Sequence, residues 1–305
     1  MKGESTMKKA IFLALIIIAT TIATAGIRMA LEYNIHPLPA FVAKETGIFK
    51  KNDIDITDFK VYKTGLQIIS ALVRGDADVA FICLSPAILA YERGAKIKIL
   101  ALTHLYGYGV VASPDLKETY KWEGETVATM KPGSPLDLLF QIAKEKYHLH
   151  NTDVRRLPPL DCLIALERGD VKVAFLSEPF ATMAEFKGFK YIVTAEELWP
   201  GMNGSVLVAT EEFLHKHPEE AKKLVTSLKE AVSLINEDPL TFARYALNYI
   251  KTSPEAIVKA IESRRIIYTT KVEPNQLEKT IHLLEKLGYI KPGLKAGELL
   301  APNAQ

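Results

Sequence analysis

One pattern of apolar and polar residues occurs twice in this chain. The first copy runs from Ala71 to Phe81 and the second from Ala165 to Phe175, and eight of the eleven positions are identical. In each copy, apolar residues at helical spacing are followed by an arginine, a glycine and a short apolar run. The arginine suits the last turn of a helix and the glycine its C-cap, so each copy predicts helix, tight turn and buried strand. Two copies this far apart predict two similar lobes, each one domain long.

Strand and helix patterns alternate around both copies. In the first lobe they predict strands at residues 27–35, 54–62 and 97–103, and helices at residues 40–46 and 86–93. In the second lobe they predict strands at residues 126–130, 154–157 and 191–193, and a helix that begins with Ser134 as N-cap. Residues 104–109, rich in aromatic residues and glycine, are predicted to form a loop. This alternation predicts an α/β protein with parallel-dominated sheets flanked by helices.

The apolar run Ser205–Thr210 predicts a strand that returns the chain to the first lobe. We therefore expect two joining strands, near Val110–Ala112 and Val206–Ala209. Amphipathic segments after residue 217 predict helices that pack on the first lobe. The predicted divisions are a signal peptide or N-terminal anchor at residues 1–25, the first part of lobe 1 at 26–111, lobe 2 at 112–207, and the helical return of lobe 1 at 208–305.

Composition narrows the class of protein. The chain is 48% apolar and 24% charged, which is typical of a globular protein. A formal charge of +2 without a lysine- or arginine-rich block argues against a nucleic-acid partner. The two cysteines, Cys83 and Cys162, fall in different predicted lobes, so we expect two buried free thiols.

The N-terminus has the pattern of an export signal. Two lysines after Met7 precede an apolar run from Ala10 to Ala19, and small residues follow up to Ala25. This order predicts a secretory signal peptide with an Ala-x-Ala-like cleavage site. The alternative is an uncleaved membrane anchor at residues 8–25. Either reading predicts an exported protein, in the periplasm or at the cell surface.

Catalytic motifs are missing from the sequence. It contains no His-Glu-x-x-His, no Gly-x-Ser-x-Gly and no P-loop, and no cluster has the spacing of metal ligands along the chain. We therefore expect a protein that is not an enzyme and that carries no cofactor and no metal.

The remaining candidates are loops at the carboxyl ends of predicted strands, where ligands bind in open α/β sheets. Several of these loops lead into helix N-termini, whose free N–H groups bind anions. The predicted ligand-binding residues are His36, Pro37, Leu38, Thr64, Gly65, Ser85, Pro86, His104, Tyr106, Gly133, Ser134, Glu178 and Asn203.

Three of these residues have a structural alternative. Ser85 and Ser134 could simply cap their own helices. Glu178 could cap a neighbouring backbone group or pair with a lysine, or it could receive an amino group of the solute, which would make the solute zwitterionic.

Five stretches within about residues 28–287 carry a resemblance to a known family: Pro39–Lys51, Gly75–Ala80, Lys131–Ser134, Glu178–Pro179 and His217–Glu219. The resemblance is to the nitrate/sulfonate/taurine-type substrate-binding proteins of ABC importers. It implies a type II two-lobed fold of the periplasmic-binding-protein kind, with a two-strand hinge. It also implies a monomer that captures a small anionic or zwitterionic solute and delivers it to the membrane subunits of an ABC permease.

Two alternatives share this fold. Some members of the family bind thiamine-pyrimidine or flavin precursors instead of sulfonates or nitrate. A pyrimidine-forming synthase also resembles these proteins, but its cysteine-rich motif is absent from this sequence.

Overall fold

The computed structural model of the protein describes residues 26–117 and 120–302. The predicted signal peptide or anchor at residues 1–25 lies outside the described residues. Among the residues that are described, no helix has the length and apolar character needed to cross a membrane.

Strands and helices alternate as the sequence predicts. The strands are β1 (Ile27–Glu32), β2 (Ile56–Tyr62), β3 (Val79–Cys83), β4 (Ile97–Leu102), β5 (His104–Tyr106), β6 (Tyr108–Ala112), β7 (Thr126–Thr129), β8 (Asp153–Arg156), β9 (Val173–Ser177), β10 (Lys190–Thr194), β11 (Ser205–Thr210) and β12 (Ile266–Tyr268). The helices of the first half are α1 (Leu38–Glu45), α2 (Ile48–Lys51), α3 (Gly65–Arg74), α4 (Leu84–Glu92) and α5 (Pro135–Tyr147). Those of the second half are α6 (Pro159–Glu167), α7 (Phe180–Phe186), α8 (Ala195–Leu198), α9 (Glu211–Lys216), α10 (Pro218–Glu237), α11 (Pro239–Ala243), α12 (Pro254–Glu262), α13 (Pro274–Lys286) and α14 (Ala296–Leu299).

Two five-stranded sheets form the two lobes. The strand order is β2-β1-β3-β11-β4 in the first sheet and β10-β6-β9-β7-β8 in the second. In each sheet, two neighbouring pairs are parallel and two are antiparallel. The antiparallel pairs all involve β11 or β6, the strands that follow the two crossings between lobes. The predicted two-lobed α/β architecture is confirmed, but the sheets are mixed and not parallel-dominated as predicted, because the strand after each crossing enters its sheet antiparallel to its neighbours.

The crossings lie a few residues before their predicted positions. Val110–Ala112 belongs to β6 inside the second sheet, and Val206–Ala209 belongs to β11 inside the first. The chain instead crosses at residues 103–107 and 199–204. These two segments run side by side, with Gly204 N–H donating to His104 O over 3.0 Å and Tyr106 N–H donating to Met202 O over 3.0 Å. The hinge is therefore a short antiparallel pair.

The prediction of a loop at residues 104–109 is wrong, because this stretch forms β5 and the start of β6. β5 pairs with β12, so it lies outside both large sheets. Glycine and aromatic residues usually indicate a loop, but here the aromatic rings are buried in the hinge.

Two helices begin earlier than predicted. α1 starts at Leu38, because Pro37 takes the N-cap position and Pro39 fits in the first turn, where a proline loses no hydrogen bond. α4 starts at Leu84, which places Ser85 within the first turn and not at the cap. The predicted cap at Ser134 is confirmed, since its Oγ accepts a hydrogen bond from Asp137 N–H over 3.2 Å.

The repeated stretch forms the same unit in both lobes. Copy one is α3 followed by β3, and copy two is α6 followed by β9. β3 lies between a parallel strand and the antiparallel β11, and β9 lies between a parallel strand and the antiparallel β6. Each repeat strand is fully buried at the centre of its sheet.

The C-terminal helices cover the first lobe. α10 packs its buried face, which includes Leu224, Leu228 and Ile235, on the core that also holds Phe41 of α1. α13 packs near α4, and the residues after it reach the second lobe, where Tyr289 OH donates to Asp137 Oδ2 over 2.7 Å.

Gly75 allows a direct test of the predicted turn. Its φ is +74°, and nothing lies within 4 Å of the place where a Cβ would stand. Gly75→Ala should therefore cost about 1–2 kcal/mol through backbone strain alone. Gly297, in α14, also has open space but no left-handed φ, so Gly297→Ala should leave stability unchanged or raise it by about 0.4–1 kcal/mol. Equilibrium unfolding in urea measures both, and equal effects would contradict the turn assignment.

Candidate functional site

A cavity of about 300 Å³ lies between the two lobes. The first lobe contributes the ends of β1, β2 and β3 and the start of α3. The second lobe contributes the ends of β7, β8 and β9 and the start of α5. Strand carboxyl ends and helix N-termini therefore surround the cavity, as expected for a ligand site in open α/β sheets.

Five of the predicted ligand-binding residues line this cavity. They are His36, Thr64, Gly65, Pro86 and Ser134. The other eight do not line it. His104, Tyr106 and Asn203 lie in the hinge, Pro37 and Leu38 begin α1, and Gly133 N–H donates to Asp137 Oδ2. Ser85 is buried in the first turn of α4, and the buried Glu178 is hydrogen-bonded to Thr182 and Tyr191.

The other residues that line the cavity were not identified from the sequence. Most of them form a polar floor (Glu32, Asn34, Cys83, Tyr108), apolar walls (Tyr62, Leu66, Ile69, Met130, Leu136, Leu157) and a set of cations (Lys63, Lys131, Arg156), together with Ser177. The floor residues lie near the ends of strands that read as ordinary buried runs. In the sequence, Glu32 and Ser177 could have been recognised as polar residues that end apolar runs.

The floor is a buried hydrogen-bonded cluster. Glu32 Oε1 accepts from Cys83 N–H over 2.8 Å, and Glu32 Oε2 lies 3.2 Å from His36 Nδ1. Ser205 Oγ donates to Glu32 Oε2 over 3.0 Å, and Tyr108 OH donates to Cys83 Sγ over 3.2 Å. Every group in the cluster therefore has a partner, as buried polar groups require.

The carboxyl group of Glu32 is ionised in this cluster. Burial raises its pKa, but the hydrogen bond and charge of His36, together with the bonds from Cys83, outweigh burial and leave the pKa below its usual value. Burial and the Glu32 charge raise the pKa of the Cys83 thiol well above its usual range, so the thiol stays protonated.

His104 packs against the same cluster from the hinge. Its ring centroid lies 4.3 Å from that of His36, and its Nε2 accepts from Ser205 N–H over 3.1 Å. Burial, followed by the charge of His36, lowers the pKa of His104 well below its usual value, so it is neutral. A Cβ at Gly204 would stand 2.0 Å from the His104 ring, so only glycine fits there.

Two helix N-termini face the cavity from opposite lobes. Thr64 caps α3, where its Oγ1 accepts from Gln67 N–H over 3.4 Å, and Ser134 caps α5. Lys63 and Lys131 stand next to these starts on the cavity lining, and within residues 26–117 and 120–302 neither ammonium has an ion-pair partner. The positive ends of two helices and two cations make the mouth favourable for an anion.

The third cation is already engaged. Arg156 Nη1 bonds Asp137 Oδ1, and the Asp137 side chain is completely buried. This pair fixes the side of the cavity that β8 and α5 form. Between the cations and the floor, the walls are predominantly apolar.

Glu178 is buried and does not line the cavity. Its Oε2 accepts from Thr182 N–H over 3.1 Å and its Oε1 from Tyr191 OH over 3.1 Å. Arg265 stacks on Tyr191, 3.7 Å from the ring centroid, and donates to Thr182 Oγ1 over 2.8 Å. These contacts favour the structural role of Glu178 over contact with the solute.

Comparison with known proteins points to one family. The NMT1-like family model matches residues 23–250. The taurine-binding periplasmic protein of Escherichia coli is 23% identical over 211 residues, which cover 68% of this chain and 66% of that protein. The chain thus matches slightly less than two thirds of this relative's length.

Solved structures share the fold. The ligand-binding component of an ABC-type import system from Staphylococcus aureus, solved with zinc bound, superposes with a TM-score of 0.80 at 16% identity, covering 91% of this chain and 97% of that one. The periplasmic aliphatic sulphonate-binding protein of Escherichia coli gives 0.78 at 17% identity, covering 92% and 93%. The fold is therefore that of the periplasmic binding proteins.

Two buried carboxyl groups should respond to pH in opposite directions. Because hydrogen bonding lowers the pKa of Glu32, its charge stabilises the fold at neutral pH, and this contribution is lost as pH falls through the lowered pKa. Burial raises the pKa of Glu178, above all other influences, so its contribution is present at low pH and is lost as pH rises through the raised pKa.

Glu32→Gln should therefore lower the free energy of unfolding at pH 7 by about 1.5–3 kcal/mol, the size of hydrogen bonds to a charged group. Glu178→Gln should leave it unchanged or raise it. Urea unfolding at pH 7 and pH 4 measures both effects, and each difference from wild type should shrink at pH 4. Destabilisation of similar size by both substitutions at pH 7 would contradict this assignment.

Proposed function

Because the chain belongs to the NMT1-like family, we propose that it is the solute-binding protein of an ABC importer and that it captures a small organic anion in the interlobe cavity. The observation that carries this proposal is the pairing of two helix N-termini with Lys63 and Lys131 around one cavity. One helix and one lysine come from each lobe, so an anion would contact both lobes and favour their closure.

The apolar walls support an organic anion in preference to a bare inorganic one. Tyr62, Ile69 and Met130 line the cavity together with the two lysines and the polar floor. Nitrate would leave these side chains facing empty space, whereas an alkyl chain would bury against them at about 0.8 kcal/mol per methylene. An alkanesulfonate or a similar amphiphilic anion therefore fits the cavity better than nitrate.

Export and delivery belong to the same proposal. We propose that residues 1–25 direct the chain out of the cytoplasm, as a signal peptide or as an anchor at residues 8–25, and that the protein works as a monomer. In this proposal the partner is the pair of ABC permease membrane subunits, and the protein performs no reaction of its own. The taurine-binding and sulphonate-binding names of its relatives support this assignment.

Linear alkanesulfonates of increasing length provide the first test. The dissociation constant should fall about fourfold for each added methylene until the cavity is filled, since each buries apolar area worth about 0.8 kcal/mol. Isothermal titration calorimetry with methane-, butane- and hexanesulfonate measures this series. Nitrate should bind more weakly than any of them. A thiamine-pyrimidine or flavin precursor that binds more tightly than every sulfonate would contradict the proposed solute class.

Removing the two cations provides the second test. The Lys63→Gln, Lys131→Gln double variant should bind butanesulfonate about tenfold more weakly, because both lysines are exposed and surface ion pairs contribute at most about 1 kcal/mol each. Lys279→Gln on α13 is the matched control, because this lysine is also exposed and does not line the cavity. Equal affinity of the double variant and the control would show that the lysines take no part in anion binding.

A further inference from the structure

We propose that the floor of the cavity is a binding site for a transition-metal ion of the Zn²⁺ class, held by Glu32, His36 and Cys83. A carboxylate oxygen, an imidazole nitrogen and a sulfur are the donors that zinc prefers, and their atoms lie within 4.8 Å of one another. Magnesium and calcium prefer sites made of oxygen atoms, so a thiol and an imidazole select against them.

The distances between the donor atoms fit tetrahedral coordination. With metal–ligand bonds of about 2.0–2.3 Å, neighbouring donors in a tetrahedron stand about 3.3–3.7 Å apart. His36 Nδ1 lies 3.2 Å from Glu32 Oε2 and 3.9 Å from Cys83 Sγ. Both distances differ from that range by only a few tenths of an ångström, and the third pair, Glu32 and Cys83, lies within 4.8 Å.

The hydroxyl group of Ser205 lies next to all three proposed metal ligands. Its Oγ lies 3.0 Å from Glu32 Oε2, 3.2 Å from His36 Nδ1 and 3.6 Å from Cys83 Sγ. The Ser205 hydroxyl thus lies within 3.6 Å of a donor atom of each of the three proposed ligands. The serine hydroxyl, or a group that enters from the cavity, can complete the coordination.

The surrounding hydrogen bonds already orient the ligands. His36 Nε2 lies 3.1 Å from Gly107 O, and a ligating histidine typically donates its other N–H to such a carbonyl. Cys83 N–H holds Glu32 Oε1, which leaves Oε2 to face the centre, and Tyr108 OH reaches the sulfur. These contacts fix each donor before an ion arrives.

The charges of the proposed ligands and their position on the cavity lining also favour a bound metal ion. A divalent cation would be neutralised by the Glu32 carboxylate and the Cys83 thiolate, which would otherwise repel each other in a buried site. Glu32, His36 and Cys83 all line the interlobe cavity, so an ion can enter through the cleft. Binding must displace the thiol proton into solvent, so each bound ion releases at least one proton.

Distance along the chain hides this site from sequence inspection. Cys83 comes from the end of β3, far from Glu32 and His36, and Ser205 starts β11. Only the sheet order β1-β3-β11 brings these segments side by side.

Cobalt provides a spectroscopic probe of the site, because Co²⁺ bound to a thiolate gives a strong near-ultraviolet charge-transfer band. Chelator-treated full chain, with no sulfonate present, is titrated with Co²⁺ at neutral pH while proton release is followed. The expected result is one ion per chain, the thiolate band, at least one proton released per ion, and displacement of the band by Zn²⁺ but not by Mg²⁺.

The two cysteines make the assignment unambiguous. In Cys162→Ser the only remaining thiol is Cys83, so the band should persist with unchanged affinity, whereas Cys83→Ser should lose it. Glu32→Gln should weaken binding by about tenfold or more. Circular dichroism confirms that each variant is folded.

Absence of a thiolate band in folded wild type, or its loss in folded Cys162→Ser, would overturn the proposal. Because no sulfonate is present, either result would leave the proposed solute binding standing. The wild-type and Cys162→Ser measurements decide the matter even if Cys83→Ser fails to fold.

Discussion

The buried carboxylate of Glu32 is the interaction on which the cavity and the hinge both depend. A charge removed from water must be fully hydrogen-bonded, and Glu32 finds its partners in three other segments. Cys83 N–H comes from the end of β3, Ser205 Oγ from the start of β11, and His36 from the turn before α1. The charge therefore fixes the strand ends that form the cavity floor, and it ties the floor to the segment that leaves the hinge.

The two segments that cross between the lobes contact this hydrogen-bonded cluster. The His36 ring contacts the tilted ring of His104, which lies in one crossing, and His104 accepts from Ser205 N–H next to the other crossing. Gly204 supplies the space that the His104 ring needs. The cavity floor is thus in direct contact with both crossing segments.

The sequence predicted those features that local chemistry determines. The repeat, its positive-φ glycines and the cap at Ser134 depend on a few neighbouring residues, and they were found. The lining residues that were predicted lie in loops after strands or at helix starts, as His36 and Thr64 do. Cys83 was missed because it ends an apolar run, and its role depends on which strands become neighbours. Glu178 was placed in the site because its loop follows a strand, but the loop turns its carboxyl group toward Arg265.

The internal duplication places one equivalent strand end from each lobe on the cavity lining. Aligning the repeat copies pairs Cys83 at the end of β3 with Ser177 at the end of β9, and both residues line the cavity. Tyr108 pairs with Ser177 across the second sheet while its hydroxyl reaches Cys83 in the first lobe. The two strand ends differ in the hydrogen bonds that their side chains make. Cys83 has partners, whereas the buried Ser177 hydroxyl has none among the residues that the structure describes. The first lobe therefore supplies a hydrogen-bonded strand end and the second a strand end whose hydroxyl is unpaired, so under the proposed function a solute can gain a hydrogen bond on the Ser177 side of the cavity.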